Sequence, residues 1–226
     1  MNMQSGADTT QRWRAAHGAG EALGPLVEIN AQCIELLCAM ALQPAAQLPP
    51  LLARQPEAWR GLSAGARGQL AAVPWLLADA GFNDEARWQL FEQRATRTLP
   101  DGLLEPAFRG EGARDFIRRV LIFSWHLARA QPQLARLSFG MSPACAARFA
   151  TLRLVDLDRI ADQLPGWVRP RWEQTPSIWR HLLRAAIEED DRLIFRASLQ
   201  GIQLLAAGCL PPAVAARASG AQPARL

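Results

Sequence analysis

The sequence predicts an all-α protein, an irregular multi-helix bundle of about eight to ten short helices with a helix-turn-helix-like trio in mid-chain. Three observations lead there. Apolar residues recur at three- and four-residue steps through successive windows. Proline, serine, asparagine and glycine stand where helices start and stop. β-branched residues are too sparse for any convincing strand.

Taken in order, residues 1–22 are polar and rich in Gly and Ala, a loose lead-in. Residues 23–110 form an N-terminal helical half. Pro25 opens a helix to about Leu42, with Leu26, Ile29, Cys33, Leu36, Leu37 and Met40 on its inner stripe. Pro44 ends it, having no N–H to donate. Short helices follow near Pro50–Arg54 and Pro56–Leu62, and Ser63 caps another over Ala64–Ala72. Val73-Pro74-Trp75-Leu76-Leu77 reads as a buried turn or a kinked continuation. After Gly81, Asn83 begins a helix over Asp84–Gln93. The stretch 94–110, RATRTLPDGLLEPAFRG, lacks periodicity and is either an internal boundary or a long surface loop.

Residues 111–210 form the C-terminal half, and its centre carries the sharpest signals. Ile117, Val120, Leu121, Ser124, Leu127 and Ala128 share one helix face, and Pro132 ends that run. A short helix over Gln133–Phe139 stops at Gly140, which suits a left-handed C-terminal residue. Ser142-Pro143 starts the next helix, to Thr151, the serine capping and the proline filling the first turn. Val155–Leu164 follows, ended by Pro165-Gly166. Residues 133–164 thus have the outline of a helix-turn-helix. Beyond them, Trp167-x-x-Pro170-Arg171-Trp172 is a rigid connector. Helices over Pro176–Asp190 and Arg192–Ala207 come last, with Leu193, Ile194, Ala197, Ile202, Leu204 and Leu205 read as the buried side of the second. Residues 211–226, rich in Ala, Pro and Arg, read as a disordered tail. One internal echo stands out: Gln55-Pro56-Glu57-Ala58-Trp59-Arg60 and Thr175-Pro176-Ser177-Ile178-Trp179-Arg180 place Trp and Arg identically after a proline.

Within 117–164, Phe139-Gly140-Met141, Ala146, Phe149-Ala150, Leu152, Leu154, Leu157 and Ile160-Ala161, preceded by Ser124-Trp125-x-Leu127-Ala128, resemble the central segment of the flagellar master-regulator subunit family FlhD. That family is helical and dimeric and activates transcription with a partner subunit. The resemblance therefore implies a regulatory, non-enzymatic protein with a protein partner or a second copy of itself.

Composition narrows the chemistry. The chain has 226 residues and a net charge of +4, milder than expected of a dedicated nucleic-acid binder. It contains no Lys, all 25 basic residues being Arg, and no Tyr. That excludes a Walker-type lysine, a Schiff base, Ser–Lys catalysis and a phenolic acid. Cys33, Cys38, Cys145 and Cys209 form no C-x-x-C pair and read as small buried apolar groups, which fits a reducing cytoplasm. The N-terminus lacks an apolar core before a cleavage site, and neither charge-free stretch, 36–53 or 197–216, is uniformly apolar enough to span a bilayer. The expected location is the cytoplasm, without membrane attachment.

Candidate chemistry is thin. Gly61-Leu62-Ser63-Ala64-Gly65 matches the nucleophile elbow of hydrolases, but helix rather than strand precedes it, and a helix cap explains the serine. Glu188-Glu189-Asp190-Asp191 reads as a solvated helix end, and the three histidines are scattered. No cofactor, metal or small-molecule substrate is indicated. Arg136, Arg148, Arg153, Arg169 and Arg171 lie in or beside the helix-turn-helix outline, where they suit phosphates or a partner protein. Trp167 and Trp172 flank the Arg-Pro-Arg and are the tryptophans most suited to an interface. Against DNA reading, the 155–164 helix carries Asp156, Asp158 and Asp162 with Arg159 alone. The expectation is a bacterial transcriptional regulator or co-regulator acting through a helical surface. The alternatives are a helical adaptor of a secretion or motility system, or a hydrolase using Ser63.

Overall fold

The computed structural model describes residues 24–93 and 105–208. The lead-in, most of the 94–110 stretch, Cys209 and the tail lie outside the described residues. Those described are 71% helical and 2% strand, an all-α multi-helix fold. Helix α1 spans 24–41. Then come α2 (Pro50–Ala53), α3 (Pro56–Arg60), α4 (Ala64–Ala71) and α5 (Glu85–Gln93). The second half holds α6 (Ala113–Ala130), α7 (Pro132–Phe139), α8 (Pro143–Thr151), α9 (Leu154–Gln163), α10 (Pro176–Ile187) and α11 (Asp191–Gly208).

The 18-residue α6 is the hub of the second half. Its buried Phe116, Ile117, Val120, Leu121, Ser124, Leu127 and Ala128 follow the helical period. Helices α7, α8 and α9 each pack on it. The start and stop signals act as the sequence predicts. Pro132 opens α7 one residue after α6 ends, Gly140 takes φ +66°, and the Ser142 hydroxyl accepts the Cys145 N–H at 3.1 Å. Helices α10 and α11 form a hairpin. α10 packs against α3 and α4, and α11 reaches α7, so one apolar core runs through both halves of the chain. The internal echo has a physical counterpart there: Trp59 and Trp179 are buried against each other, ring centroids 5.3 Å apart.

Residues 73–82 depart from expectation. The 73–77 part is buried and bent, as the turn reading expects, but it does not end there: a non-helical passage runs on through the core past the fully buried Trp75, Leu76 and Leu77. Backbone N–H and C=O groups in such a place must be paired internally. Buried Asn30 supplies much of this: its amide nitrogen donates to Trp75 O at 2.8 Å and Ala71 O at 3.2 Å, and its oxygen accepts the Leu77 N–H at 2.9 Å. Leu76 N–H donates to Ser138 O at 2.9 Å. The expectation of no strand also needs a small correction. β1 (Ala78–Asp79) pairs antiparallel with β2 (Arg169–Pro170), Ala78 opposite Pro170. β-propensity fails to flag this ladder because it is set by the packing of two connectors and stops at a proline that cannot donate.

Candidate interaction surface

The helix-turn-helix outline is present as a succession of helices, but much of it faces inward. Gly140, Met141 and Ser142 are buried. The Ser142 hydroxyl donates to Glu85 Oε1 at 3.0 Å, and the Ser142 N–H donates to Phe82 O at 3.2 Å. Phe149 on α8 packs edge-on against Phe82 and Trp88, and Phe139 stacks on Phe82. The α7–α8 turn is thereby docked on the loop before α5. Two of the three acidic groups of α9 turn toward α6: Arg118 Nε donates to Asp158 at 2.8 Å and Arg114 Nε to Asp162 at 2.7 Å. Leu137, Leu154 and Val155 remain on the outside of the trio.

The structure disperses the seven residues singled out by sequence. Arg171 is a correction: it is 4% exposed, inside the core. Its Nε donates to Leu76 O at 2.7 Å, and Nη2 donates to Ala78 O at 3.0 Å and Phe139 O at 2.9 Å. A guanidinium survives burial here because the passage through the core offers it carbonyls. Trp167 is a second correction, since it is buried, edge-on to Trp88 at 5.3 Å and covered by Arg87. Trp172 is half-buried and packs edge-on against Trp75. Arg169 pairs with Glu173 and donates to Glu105 O. Arg153 grips Asp156 with Nε and Nη2 at 3.0 and 3.1 Å, and the Arg153 backbone N–H adds a third bond at 3.1 Å. Those bonds hold the Asp156 carboxyl below its ordinary range against the effect of burial. Arg136 donates to Gln133 beside it, and Arg148 is half-buried on α8. These arginines do not converge on one exposed patch.

Exposed cations do gather elsewhere, on the α10–α11 hairpin, which sequence reasoning passed over. After α10 the chain turns at Glu189, φ +50°, and Asp190 caps α11, its Oδ1 accepting the N–H groups of Arg192 at 2.8 Å and Leu193 at 3.2 Å. This fixes the hairpin so that Arg180, His181 and Arg184 of α10 lie on the solvent side with Arg192 and Arg196 of α11. Between the helices is a cleft of about 300 Å³, lined by His181, Arg184, Leu193, Arg196, Ala197 and Gln200. Of these arginines only Arg184 has an acidic partner among the described residues, Glu188 at 2.8 Å. The remaining acids of the 188–191 run serve the fold: Asp190 is the cap, and Asp191 accepts from Gln69 at 3.3 Å.

Next to the cleft, α11 is apolar on two sides. Ala197, Gly201 and Leu205 are buried, at four-residue steps. On the opposite side Phe195 is 62% exposed, Leu199 44% and Ile202 39%. Leu204 is exposed too, and Leu193 and Ile194 are half-buried, so the stripe expected inward is only partly so. The signal lay in Gly201. A Cβ there would lie 2.5 Å from Trp75 Cζ2, so the helix must turn this small-residue face to the core. That leaves Phe195 and Ile202 outside, a conclusion that apolar counting alone cannot reach.

Other candidates resolve into structure. Ser63 caps α4, accepting the Ala66 N–H at 3.0 Å. Cys33, Cys38 and Cys145 are free and buried, and burial pushes all three thiols up. Among the described residues no three His, Cys, Asp or Glu side chains group as metal ligands, and no helix is long and apolar enough to cross a membrane. Two grooves along α1, of about 420 and 520 Å³, share Ala39 and Glu111. Their walls mix Glu35, Glu111 and Asp115 with Arg109 and Arg119, so no single charge is selected. No family model, curated protein or solved structure matches this chain.

Proposed function

We propose that this chain is a non-enzymatic regulatory protein that acts by protein–protein contact through a helical surface, as a transcriptional regulator or co-regulator. The observation that carries it is α11, which is packed on its Ala197–Gly201–Leu205 side and presents Phe195, Leu199 and Ile202 on the other. A continuous apolar ridge rimmed by charge is the usual mark of a surface that receives another protein. The succession α7–α8–α9, with its left-handed glycine and Ser-Pro start, supports a regulatory role in the manner of the FlhD family.

Direct DNA contact is the weaker branch, because Arg171 is buried and Arg153 and Arg169 hold carboxylates. DNA is then reached through a partner. An adaptor of a secretion or motility assembly would use the same surface and differ only in lacking DNA at the end of the chain of contacts. The hydrolase alternative has nothing beyond Ser63, whose oxygen is engaged as a cap.

The test is co-purification of the tagged full chain from its native host, alongside a Phe195→Ser/Leu199→Ser double variant, with a gel shift of sheared host DNA by each eluate. A partner held by the wild type and lost by the variant, with DNA retarded only by the partnered eluate, is the expected result. A chain that purifies alone, or a partner indifferent to the α11 changes, would overturn the proposal.

A further inference from the structure

We infer that the α10–α11 face receives an acidic amphipathic helix of a partner protein, resting for this on the interaction role proposed above. The partner's apolar side lies along Phe195, Leu199 and Ile202, and one of its carboxylates sits between Arg184 and Arg196 at the mouth of the cleft.

Charge sets the sign of the occupant. His181, Arg184 and Arg196 line the cleft, Arg180 and Arg192 are exposed on the same two helices, and the acid beside them, Glu188, already holds Arg184. The nearby acids look elsewhere: Asp191 toward Gln69 of α4, and Glu189 toward Gly65 of the same helix. An arginine pair flanking a cleft suits a carboxylate, which accepts charge-assisted bonds from both. Shape sets its form. The ridge from Phe195 to Ile202 continues to Ala206, about 16 Å of helix at the usual rise, enough for about three turns of a second helix laid alongside.

The chain's own remaining segments do not supply this partner. By charge alone, 1–23 carries Asp8 and Glu21 with Arg12 and Arg14, 94–104 carries Asp101 with Arg94 and Arg97, and 209–226 carries Arg217 and Arg225 with no Asp or Glu. A second copy would set the same positive face against itself, and like charges across an interface are repelled. An anionic bilayer matches the charge. It offers nothing to fill a concave cleft, however. A helix with both acid and apolar groups satisfies ridge and cleft together.

The experiment is fluorescence polarisation with the full chain and a labelled helix-forming peptide of about five turns. The peptide has leucine at alternating three- and four-residue steps and glutamate on its flanks. Its lysine-for-glutamate counterpart and vesicles of equal parts phosphatidylcholine and phosphatidylglycerol serve as competing probes. The acidic peptide should bind, weaken as salt rises, and lose about tenfold or more in affinity with Arg184→Glu/Arg196→Glu and with Phe195→Ser. Arg54→Glu/Arg119→Glu, which alters exposed arginines elsewhere, should leave it unchanged. Circular dichroism of each variant shows whether it is folded, and Arg196→Gln gives a milder change should the double reversal unfold.

Binding of the lysine peptide or of the vesicles in preference, or acidic-peptide binding indifferent to Arg184 and Arg196, overturns the inference. If the native partner is lost with Phe195→Ser/Leu199→Ser yet binds through a basic or uncharged segment, the inference fails while the interaction role stands. If no partner depends on α11, both fail.

Discussion

Arg171 Nη2 donates to the main-chain oxygen of Phe139 at 2.9 Å, fastening the connector after α9 to the last residue of α7, beside Gly140. The same guanidinium holds Leu76 O and Ala78 O, so one side chain ties its own connector to the 76–78 passage and to the end of α7. Its own carbonyl accepts the Trp179 indole N–H at 2.6 Å, which extends the tie to α10. Arg171→Ala should therefore destabilise the fold by about 3 kcal/mol or more, because it leaves buried acceptors unpaired. Arg171→Lys should cost less, an ammonium satisfying some of them but lacking the fork. Urea unfolding followed by tryptophan fluorescence measures both. Any loss of partner or DNA binding on changing Arg171 then reports unfolding and not a lost contact.

Gly201 and Trp75 make the second prediction. Alanine in the middle of α11 would gain about 1 kcal/mol of helix propensity over glycine. Its Cβ would lie 2.5 Å from Trp75 Cζ2 and 2.7 Å from Cζ3, and that ring is fully buried. Overpacking of this kind costs about 1–3 kcal/mol, and a fixed indole places the cost at the upper end. Gly201→Ala should lower the thermal midpoint, whereas Gly68→Ala, where nothing lies within 4 Å, should leave it level or raise it.

Asp156 gives a pH dependence with a definite sign. Hydrogen bonds from Arg153 hold its carboxyl below the ordinary range in the folded chain. A carboxyl depressed on folding contributes stability that is present above its unfolded value and is lost as pH falls through the folded one. Asp156→Asn should thus cost about 1 kcal/mol near neutrality, as the loss of a capping carboxylate does. The gap between wild type and variant should close as pH falls below the carboxylate range. Unfolding midpoints at neutral and acid pH give the comparison.

The buried thiols make a chemical prediction. Desolvation raises the Cys33, Cys38 and Cys145 thiols, and an alkylating reagent needs the thiolate. In the native chain all three should resist iodoacetamide even at mildly alkaline pH and react promptly in urea. Peptide mass spectrometry resolves each site. Fast native labelling of Cys33 would mean that α1 opens readily from the core.

Much of the architecture was legible in the sequence, because helix ends are local. Ser142-Pro143, Gly140 and Pro132 act within a turn of themselves and stand where expected. Asn30 and Arg171 were illegible for the opposite reason. Their partners lie 41 or more residues away for Asn30 and 32 or more for Arg171, and a buried polar side chain looks like any surface residue until the carbonyls it serves are in place. The arginine candidates dispersed on the same ground: Arg171, beside a proline and a tryptophan, reads as exposed connector but ends in the core. The α10–α11 face was hidden by α11 being apolar on two sides, where periodicity cannot tell the packed side from the open one. Gly201 against Trp75 decides between them.

Action through the outer side of α10–α11 is tested most directly by a photo-activated cross-linking residue placed singly in the full chain in its native cell. The positions are Leu199, Val155 on α9 and Leu42 after α1, all exposed. A discrete adduct from Leu199 that disappears on adding Arg184→Glu/Arg196→Glu is the predicted result. Adducts confined to Val155 or Leu42, with Leu199 silent, would contradict it.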